Sequence, residues 1–290
     1  MRKKTTKRGK WIALTAGLGV LVLGGVIGVV YRSEILAWYD FYQLFESVGR
    51  NEQRYSEYRH RQTGIVFVSL PGGRFLRGSP ESDARASKDE RPQHEVTLSP
   101  FLIAKYEITQ AQWRRIMVNY RAGVSKFTGD QLPVERVWPG HCVEFCDKAG
   151  FSLPTEAQWE YACRAGTTTR YSSGDEESDL AKVAWYHKNS RGRPHPVGQK
   201  PANGFGLHDM HGNVFEWCID VYDHAFYSKT QSRERDARNT KGNYRILRGG
   251  AYYEGDAGCR SAYRGEFDDP GIKGPGRGFR PVWPPNYPPP

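Results

Sequence analysis

The sequence predicts an α+β domain with little regular secondary structure, placed behind a single transmembrane helix. Three observations predict it. The apolar runs before residue 110 are short and bounded by turn residues, as expected for strands. Short segments between residues 109 and 166 carry the start and stop signals of helices. Beyond residue 166, Gly, Pro, Asn and Ser interrupt every apolar run within a few residues, which predicts loops and short strands.

The N-terminus predicts a membrane anchor. Residues 1–10 hold six basic residues and no acidic one, and residues 11–31 carry no charge. A run of this length matches the roughly 20 residues that span a bilayer as a helix. The preceding basic residues predict that the N-terminus stays in the cytoplasm and that the domain is periplasmic or extracellular. A cleaved signal peptide is the alternative, but the apolar run is long and no small-residue cleavage site follows it.

The segments flanking the domain have less definite signals. Residues 32–62 place apolar side chains at helical spacing, which predicts a juxtamembrane helix or a partly ordered linker. We place the domain at 63–283 and a proline-rich tail at 284–290. Without residues 1–10, the net charge of +10 falls to about +4, which is too low to indicate nucleic-acid binding.

The elements of the domain follow in order. Two strands are predicted around the Pro-Gly-Gly turn of residues 64–79, and another extended stretch at 94–109. The first helix follows Thr109, whose spacing to a Gln three residues later is that of a capping box. A second helix ends on Gly150, a residue suited to a C-terminal cap. A third follows Thr155, again with a capping-box Gln.

The segment HDMHGNVFEWC, residues 208–218, concentrates possible metal ligands. Its histidines, His208 and His211, are three residues apart and are followed by Gly-Asn, whereas a catalytic zinc helix needs a spacing of four. Asp209 and Glu216 offer carboxylate oxygens, which calcium prefers. The pattern alone predicts a calcium loop and a purely structural loop about equally.

Two further groups have competing interpretations. Cys142 and Cys146 lie one helical turn apart, a poor geometry for a disulfide, so at least one is expected to be a core thiol. Arginines and aromatic residues alternate near the C-terminus, which fits either phosphate binding or pairing with buried carboxylates. We favour pairing, with Asp209, Glu156 and Glu160 as available partners. The residues are Arg245, Arg248, Tyr252, Tyr253, Arg260, Tyr263, Arg264, Arg277, Phe279 and Arg280.

The order of several segments resembles the formylglycine-generating enzyme family, also called sulfatase-modifying factors. PGGRFLRGS, HEVTLSPFLIAKYEITQAQW, PVERVWPGHCVEFC, LPTEAQWEYACRAGT, NGFGLHDMHGNVFEWC and RILRGGAYY with CRSAYR and GFRPV occur in that order. The resemblance covers about residues 63–283 and implies one C-type-lectin-like domain. It also implies a structural calcium ion and a disulfide between Cys163 and Cys259. The implied calcium ligands are Asp209, Gly212, Val214 and Glu216.

The sequence departs from the family where active members hold copper. Their two copper-binding cysteines should lie between Gly250 and Cys259, but the segment there is AYYEGDAG. Copper(I) prefers thiolate ligands, so copper is not expected and no catalytic residue is assigned. We therefore predict a non-catalytic module that binds a protein, peptide or glycan, and not nucleic acid, in a cleft along the loop 250–278. The predicted cleft residues are Tyr252, Tyr253, Glu254, Arg260 and Arg264.

Two other functions stay open at this point. The first is a copper-dependent oxidase that forms formylglycine from sulfatase cysteines, with Cys142, Cys146 or Cys218 replacing the missing thiols. The second is a variable ligand-display protein, because diversified lectin-like domains share this C-terminal segment.

Overall fold

The computed structural model describes residues 41–118, 125–266 and 274–283. The described residues from Phe45 onward form one unit, and residues 41–44, which are helical, belong to a separate unit. The predicted transmembrane helix at 11–31 and the proline-rich tail at 284–290 lie outside the described residues. Within the described ranges, no helix has the length and apolarity needed to cross a bilayer.

The largest sheet has five antiparallel strands in the order β1-β2-β3-β6-β11. The strands are β1 (Phe45–Arg50), β2 (Ser56–His60), β3 (Val66–Leu70), β6 (Phe101–Ala104) and β11 (Val282–Trp283). The prediction of a helix or linker for residues 32–62 is therefore wrong over 45–60. Phe45 pairs with His60 across the first two strands, and both side chains are buried, so tertiary pairing overrides the helical spacing.

Two smaller sheets complete the β structure. Strands β4 (Gly73–Arg77) and β5 (His94–Leu98) form an antiparallel pair. The four-stranded sheet has the order β10-β7-β8-β9. Its strands are β7 (Phe215–Val221), β8 (Arg245–Arg248), β9 (Gly265–Glu266) and β10 (Arg277–Gly278). Because β10 pairs parallel to β7, the C-terminal segment returns beside the strand that follows the HDMHGNV loop.

The described residues from 45 to 283 contain four α-helices and four 3-10 helices. The α-helices are α1 (Gln110–Ile116), α2 (Pro139–Ala149), α3 (Glu156–Arg164) and α4 (Glu177–Val183). The 3-10 helices are Lys88–Glu90, Phe226–Ser228, Thr230–Arg233 and Asp256–Cys259. Both predicted capping boxes are present, at Thr109 and Thr155, and Gly150 ends α2 with a φ of 74°. The predicted α+β content with short elements is confirmed.

The main hydrophobic core surrounds α3, all of whose residues are buried. It includes Trp159 and Ala162 of that helix, Phe101 and Ile103 of β6, and Ile246 of β8. Buried Glu156 and Glu160 also lie on α3 and therefore require charged partners inside the domain. The helix thus positions both the apolar core and a network of buried charges.

Candidate functional site

The predicted calcium loop brings Asp209 into the interior. Its backbone has a φ of 56°, and its Oδ2 atom accepts a 2.7 Å hydrogen bond from the Gly198 amide. Its Oδ1 atom is buried and has no hydrogen-bond partner among the described residues. Burial, together with the charge of Glu216, raises the pKa of Asp209 to about 6, against the opposing effect of Arg280. Asp209 therefore has one oxygen available to a cation.

The negative charge of Glu216 is compensated by an ion pair with Arg280. Arg280 donates from Nη2 to Oε1 at 2.6 Å and from Nε to Oε2 at 2.7 Å, and the Trp159 indole donates to Oε2 at 2.8 Å. Nearby Glu107 accepts bonds from the Val214 amide and the Asn213 side chain. The loop is thus held by an ion pair and by carboxylate bonds to its backbone.

The donor set fits calcium at Asp209 better than at Glu216. Carboxylate and backbone carbonyl oxygens are the ligands that calcium takes, and Asp209 has a free buried oxygen beside the glycine turn. The two histidines have other contacts: His208 Nδ1 meets the Lys200 carbonyl at 2.8 Å, and His211 Nδ1 meets the Cys259 carbonyl at 2.8 Å. No cluster of three or more His, Cys, Asp or Glu suited to a metal occurs in the described ranges.

All five cysteines are buried free thiols, which corrects the predicted Cys163–Cys259 disulfide. Cys163 Sγ lies 3.6 Å from His211 Nε2 and 3.7 Å from Ser261 Oγ, so this sulfur makes hydrogen-bonding contacts in place of a covalent bond. Burial raises the pKa of Cys163 to about 12, and it also raises the pKa of Cys142, Cys146, Cys218 and Cys259. None of these thiols is a ready thiolate.

Arg260 and Arg264 are both enclosed by ion pairs, in contrast to the predicted exposed cleft residues, and Arg260 borders a cavity formed with residues 79–83 and 164–175. Arg260 is 2% exposed and forms a two-point ion pair with Glu90, at 2.7 and 2.6 Å. Arg264 is also buried, and its Nε atom donates to Glu156 at 2.7 Å. Both guanidinium groups are enclosed because a buried carboxylate compensates each one.

These pairs belong to a larger network around α3. Glu156 also pairs with Arg77, and Glu160 pairs with Arg248 and with Arg164. Burial by itself would raise the pKa of Glu156, but Arg264, Arg77 and Arg248 outweigh it and lower that pKa to about 2. The expected pairing with Glu156 and Glu160 is confirmed for Arg248 and Arg264, whereas Arg260 pairs with Glu90 and Arg280 with Glu216.

The remaining predicted cleft residues differ in exposure. Tyr252 is buried and packs edge-on against Phe127, with ring centroids 5.9 Å apart. Tyr253 is half-buried and donates from Oη to the Pro275 carbonyl at 3.0 Å. Glu254 is also half-buried, and burial raises the pKa of its carboxyl. A hard carboxylate thus stands in the segment 251–258, where the resemblance led us to look for copper-binding thiols.

A groove with a volume of about 550 Å³ adjoins Tyr252 through Phe127, and we call it the Phe127 groove. It is lined by residues 127–132 on one side and 193–196 on the other. The sequence does not predict the Phe127 groove, because its two lining segments are more than 60 residues apart. The Pro-His-Pro run at 194–196 was the available signal for a fixed extended wall.

The profile of the family described as "Sulfatase-modifying factor enzyme 1-like domain" matches residues 52–285. The chain belongs to this family. The match begins upstream of the predicted boundary at 63, in agreement with the position of β2. Other matching members bear the names formylglycine-generating enzyme and hercynine oxygenase.

Three similar proteins are informative. "Chaperone protein LppX" of Paenibacillus barcinonensis is 29% identical over 74% of this chain and 88% of its own length. "Serine/threonine-protein kinase pkn1" of Chlamydia caviae is 32% identical over 75% of this chain, which spans only 37% of the kinase. The solved structure of PvdO from Pseudomonas aeruginosa has a TM-score of 0.70 at 27% identity, covering 78% of this chain and 97% of PvdO. The fold is therefore that of the family.

Proposed function

We propose that this protein is a membrane-anchored, extracytoplasmic binding module of the family, which holds a polypeptide segment in the Phe127 groove and performs no oxidase chemistry. The observation that carries the proposal is the state of the sulfur atoms. All five thiols are buried, and Glu254 occupies the segment that should supply copper-binding thiolates.

Copper does not fit these residues. Copper(I) needs soft thiolate ligands, and a half-buried carboxylate is a hard oxygen ligand. Cys142 and Cys146 share a face of α2, but both are fully enclosed, and burial raises the pKa of each thiol. A redox step would need one of these sulfurs in an open groove, so we derive no such step.

The Phe127 groove has the features of a peptide site. Phe127, Pro194 and Pro196 offer apolar contacts, while Asp130 and Arg193 add charges of both signs. The wall is rigid, because the ring of His195 stacks on Trp185 at 3.8 Å and its amide donates to the Asn213 side chain. A preformed wall lowers the entropy lost on binding.

The similarity to a relative named as a chaperone supports a polypeptide over a glycan as the partner in this groove. The uncharged run at 11–31 after a basic segment supports the anchor, with the N-terminus in the cytoplasm. We further propose a structural calcium ion bound by Asp209 with the Gly212 and Val214 carbonyls. In that role the ion would supply the missing partner for Asp209 Oδ1.

The oxidase assay is the direct test. The purified protein receives copper(I), oxygen and a cysteine-containing peptide, and an active formylglycine-generating enzyme serves as the positive control. We expect no aldehyde in the peptide and no enzyme-dependent oxygen uptake. Aldehyde formation would overturn the proposal and establish the copper oxidase.

Binding is tested with a photo-crosslinking amino acid placed at Thr128 in the groove and, as the control, at the exposed Lys188. We expect a discrete protein adduct in the native membrane from position 128 alone. A second variant, Pro196→Arg, should reduce that adduct severalfold by placing charge against the apolar wall. Equal adducts from both positions would exclude the groove as the binding site.

A further inference from the structure

A second cavity, of about 320 Å³, opens between residues 79–83 and residues 164–175. We call it the Arg164 cavity. It shares no lining residue with the Phe127 groove. Its base includes Arg260, Arg164 and Asp83, which are 2%, 5% and 8% exposed. Polar side chains that are so deeply enclosed and still border a cavity are available to a ligand that hydrogen-bonds.

The cavity offers unused donors. Arg164 donates through Nε to Glu160, through Nη1 to the Thr169 carbonyl and through Nη2 to the Gly78 carbonyl. A guanidinium group has five N–H donors, so these bonds leave two of them for another acceptor. Arg170, at the rim, also uses three donors in bonds among the described residues.

The cavity also offers unused acceptors. Asp83 Oδ1 accepts from the Arg85 amide at 3.1 Å and from Arg170. Asp83 Oδ2 lies 3.7 Å from Arg260 Nη1, which is too long for a hydrogen bond. At the rim, Asp175 Oδ1 accepts from the Arg170 amide, and no second bond to this carboxylate is seen in the described part of the chain. The hydroxyl groups of Ser82 and Thr168 can both donate and accept.

The charges around the cavity decide between ligand classes. Three guanidinium groups face it, and four carboxylates either face it or pair with those guanidinium groups from behind. The cations are Arg164, Arg170 and Arg260, and the anions are Asp83, Glu90, Glu160 and Asp175. Arg248 also pairs with Glu160 from behind and adds a fourth cation, so the sum is four positive and four negative charges, or zero, and the site does not favour an anion. Nor does it favour an apolar ligand, because Pro80 and Ala262 are the apolar residues of the lining.

We propose that the Arg164 cavity binds a neutral pyranose, such as one sugar unit of a glycan. Each sugar hydroxyl donates one hydrogen bond and accepts others, which matches a wall where guanidinium donors alternate with carboxylate acceptors. The volume lies at the lower end of the roughly 300–1,000 Å³ of small-molecule sites, enough for a single ring. This site is independent of the polypeptide groove.

Saturation-transfer NMR on the full chain tests the proposal, in a zwitterionic detergent without a sugar headgroup. The probes are the methyl glycosides of glucose, galactose, mannose and N-acetylglucosamine, with glucuronic acid as the charged comparison. We expect saturation transfer to at least one neutral pyranose, and no tighter binding of the matching glucuronic acid, because the charges around the cavity sum to zero.

Two tryptophan variants locate the binding. Thr168→Trp and Ser82→Trp each fill the cavity from an exposed rim position, and each should weaken binding at least tenfold. Thr128→Trp, in the Phe127 groove, is the matched control and should leave pyranose binding unchanged. No transfer to any neutral pyranose, tighter binding of glucuronic acid, or unaltered binding in both rim variants would each overturn the proposal.

Discussion

Replacing Glu156 by Gln should destabilise the protein more than any exposed charge change. Glu156 is fully buried among Arg77, Arg248 and Arg264. The fall of its pKa from 4.5 to about 2 corresponds to about 3 kcal/mol in favour of the ionised form. Removing one partner of a buried ion pair typically costs about 3–5 kcal/mol, because the other charge is left uncompensated.

The neighbouring Asp220 places the expected loss at the lower end of that range. Burial, and then the charge of Glu156, raises the pKa of Asp220 to about 6. Glu156→Gln removes that charge, so Asp220 ionises more readily and partly compensates Arg77. We therefore expect the free energy of unfolding to fall by about 3 kcal/mol.

Urea unfolding at pH 7 measures this loss. The matched control is Glu46→Gln, which removes an exposed carboxylate that pairs with Arg59 and Arg61, and which should change stability by less than about 1 kcal/mol. The slope with urea should be equal in both variants and the wild type. If Glu156→Gln loses no more stability than Glu46→Gln, the buried ion-pair network does not stabilise the domain.

Three further predictions concern the HDMHGNV loop. Burial lowers the pKa of His211 to about 4. The stabilising contribution of the neutral ring is therefore complete above pH 6.5 and is lost as the pH falls towards 4. The free energy of unfolding, measured with urea across this range, should depend less on pH in His211→Gln than in the wild type. Gly212→Ala should lower the free energy of unfolding by more than about 2 kcal/mol, because φ is 74° and a Cβ would lie 2.2 Å from the Trp185 carbonyl oxygen. The control Gly140→Ala has open space around the new Cβ and should change stability by less than about 1 kcal/mol. Calcium should raise the melting temperature over a chelator-treated sample, and Asp209→Ala should abolish the difference; an equal rise in the variant would exclude Asp209 as a ligand.

Local sequence signals predicted the local structure well. The capping boxes at Thr109 and Thr155 and the glycine stop at Gly150 were predictable because each depends on a few neighbouring residues. The hairpin of β1 and β2 was not predictable, because residues 45–60 form strands through pairing with β3. No residue spacing within the segment indicates that pairing.

The sequence predicts contacts between distant segments only in part. The number of C-terminal arginines predicted ion pairs with Glu156 and Glu160, and the structure has them. Which arginine borders a cavity depends on three-dimensional enclosure, so no spacing in the sequence distinguishes Arg260, which does, from Arg264, which is enclosed by its ion pair with Glu156. The Phe127 groove and the Arg164 cavity are both formed by segments distant in sequence, and no linear motif encodes either.

The final prediction concerns what holds this loop-rich chain together. A domain with few long elements needs additional cross-links to stabilise it. In this domain, buried arginine–carboxylate pairs are the cross-links, and Cys163 and Cys259 are free thiols. A disulfide between them would close a loop of nearly one hundred residues and add about 4 kcal/mol, or roughly 10 °C in melting temperature for a domain of this size. The melting temperature of the native protein should therefore be the same with and without a reducing agent. A drop of roughly 10 °C on reduction, absent in Cys163→Ser, would show that the disulfide forms and that ion pairs alone do not hold the framework.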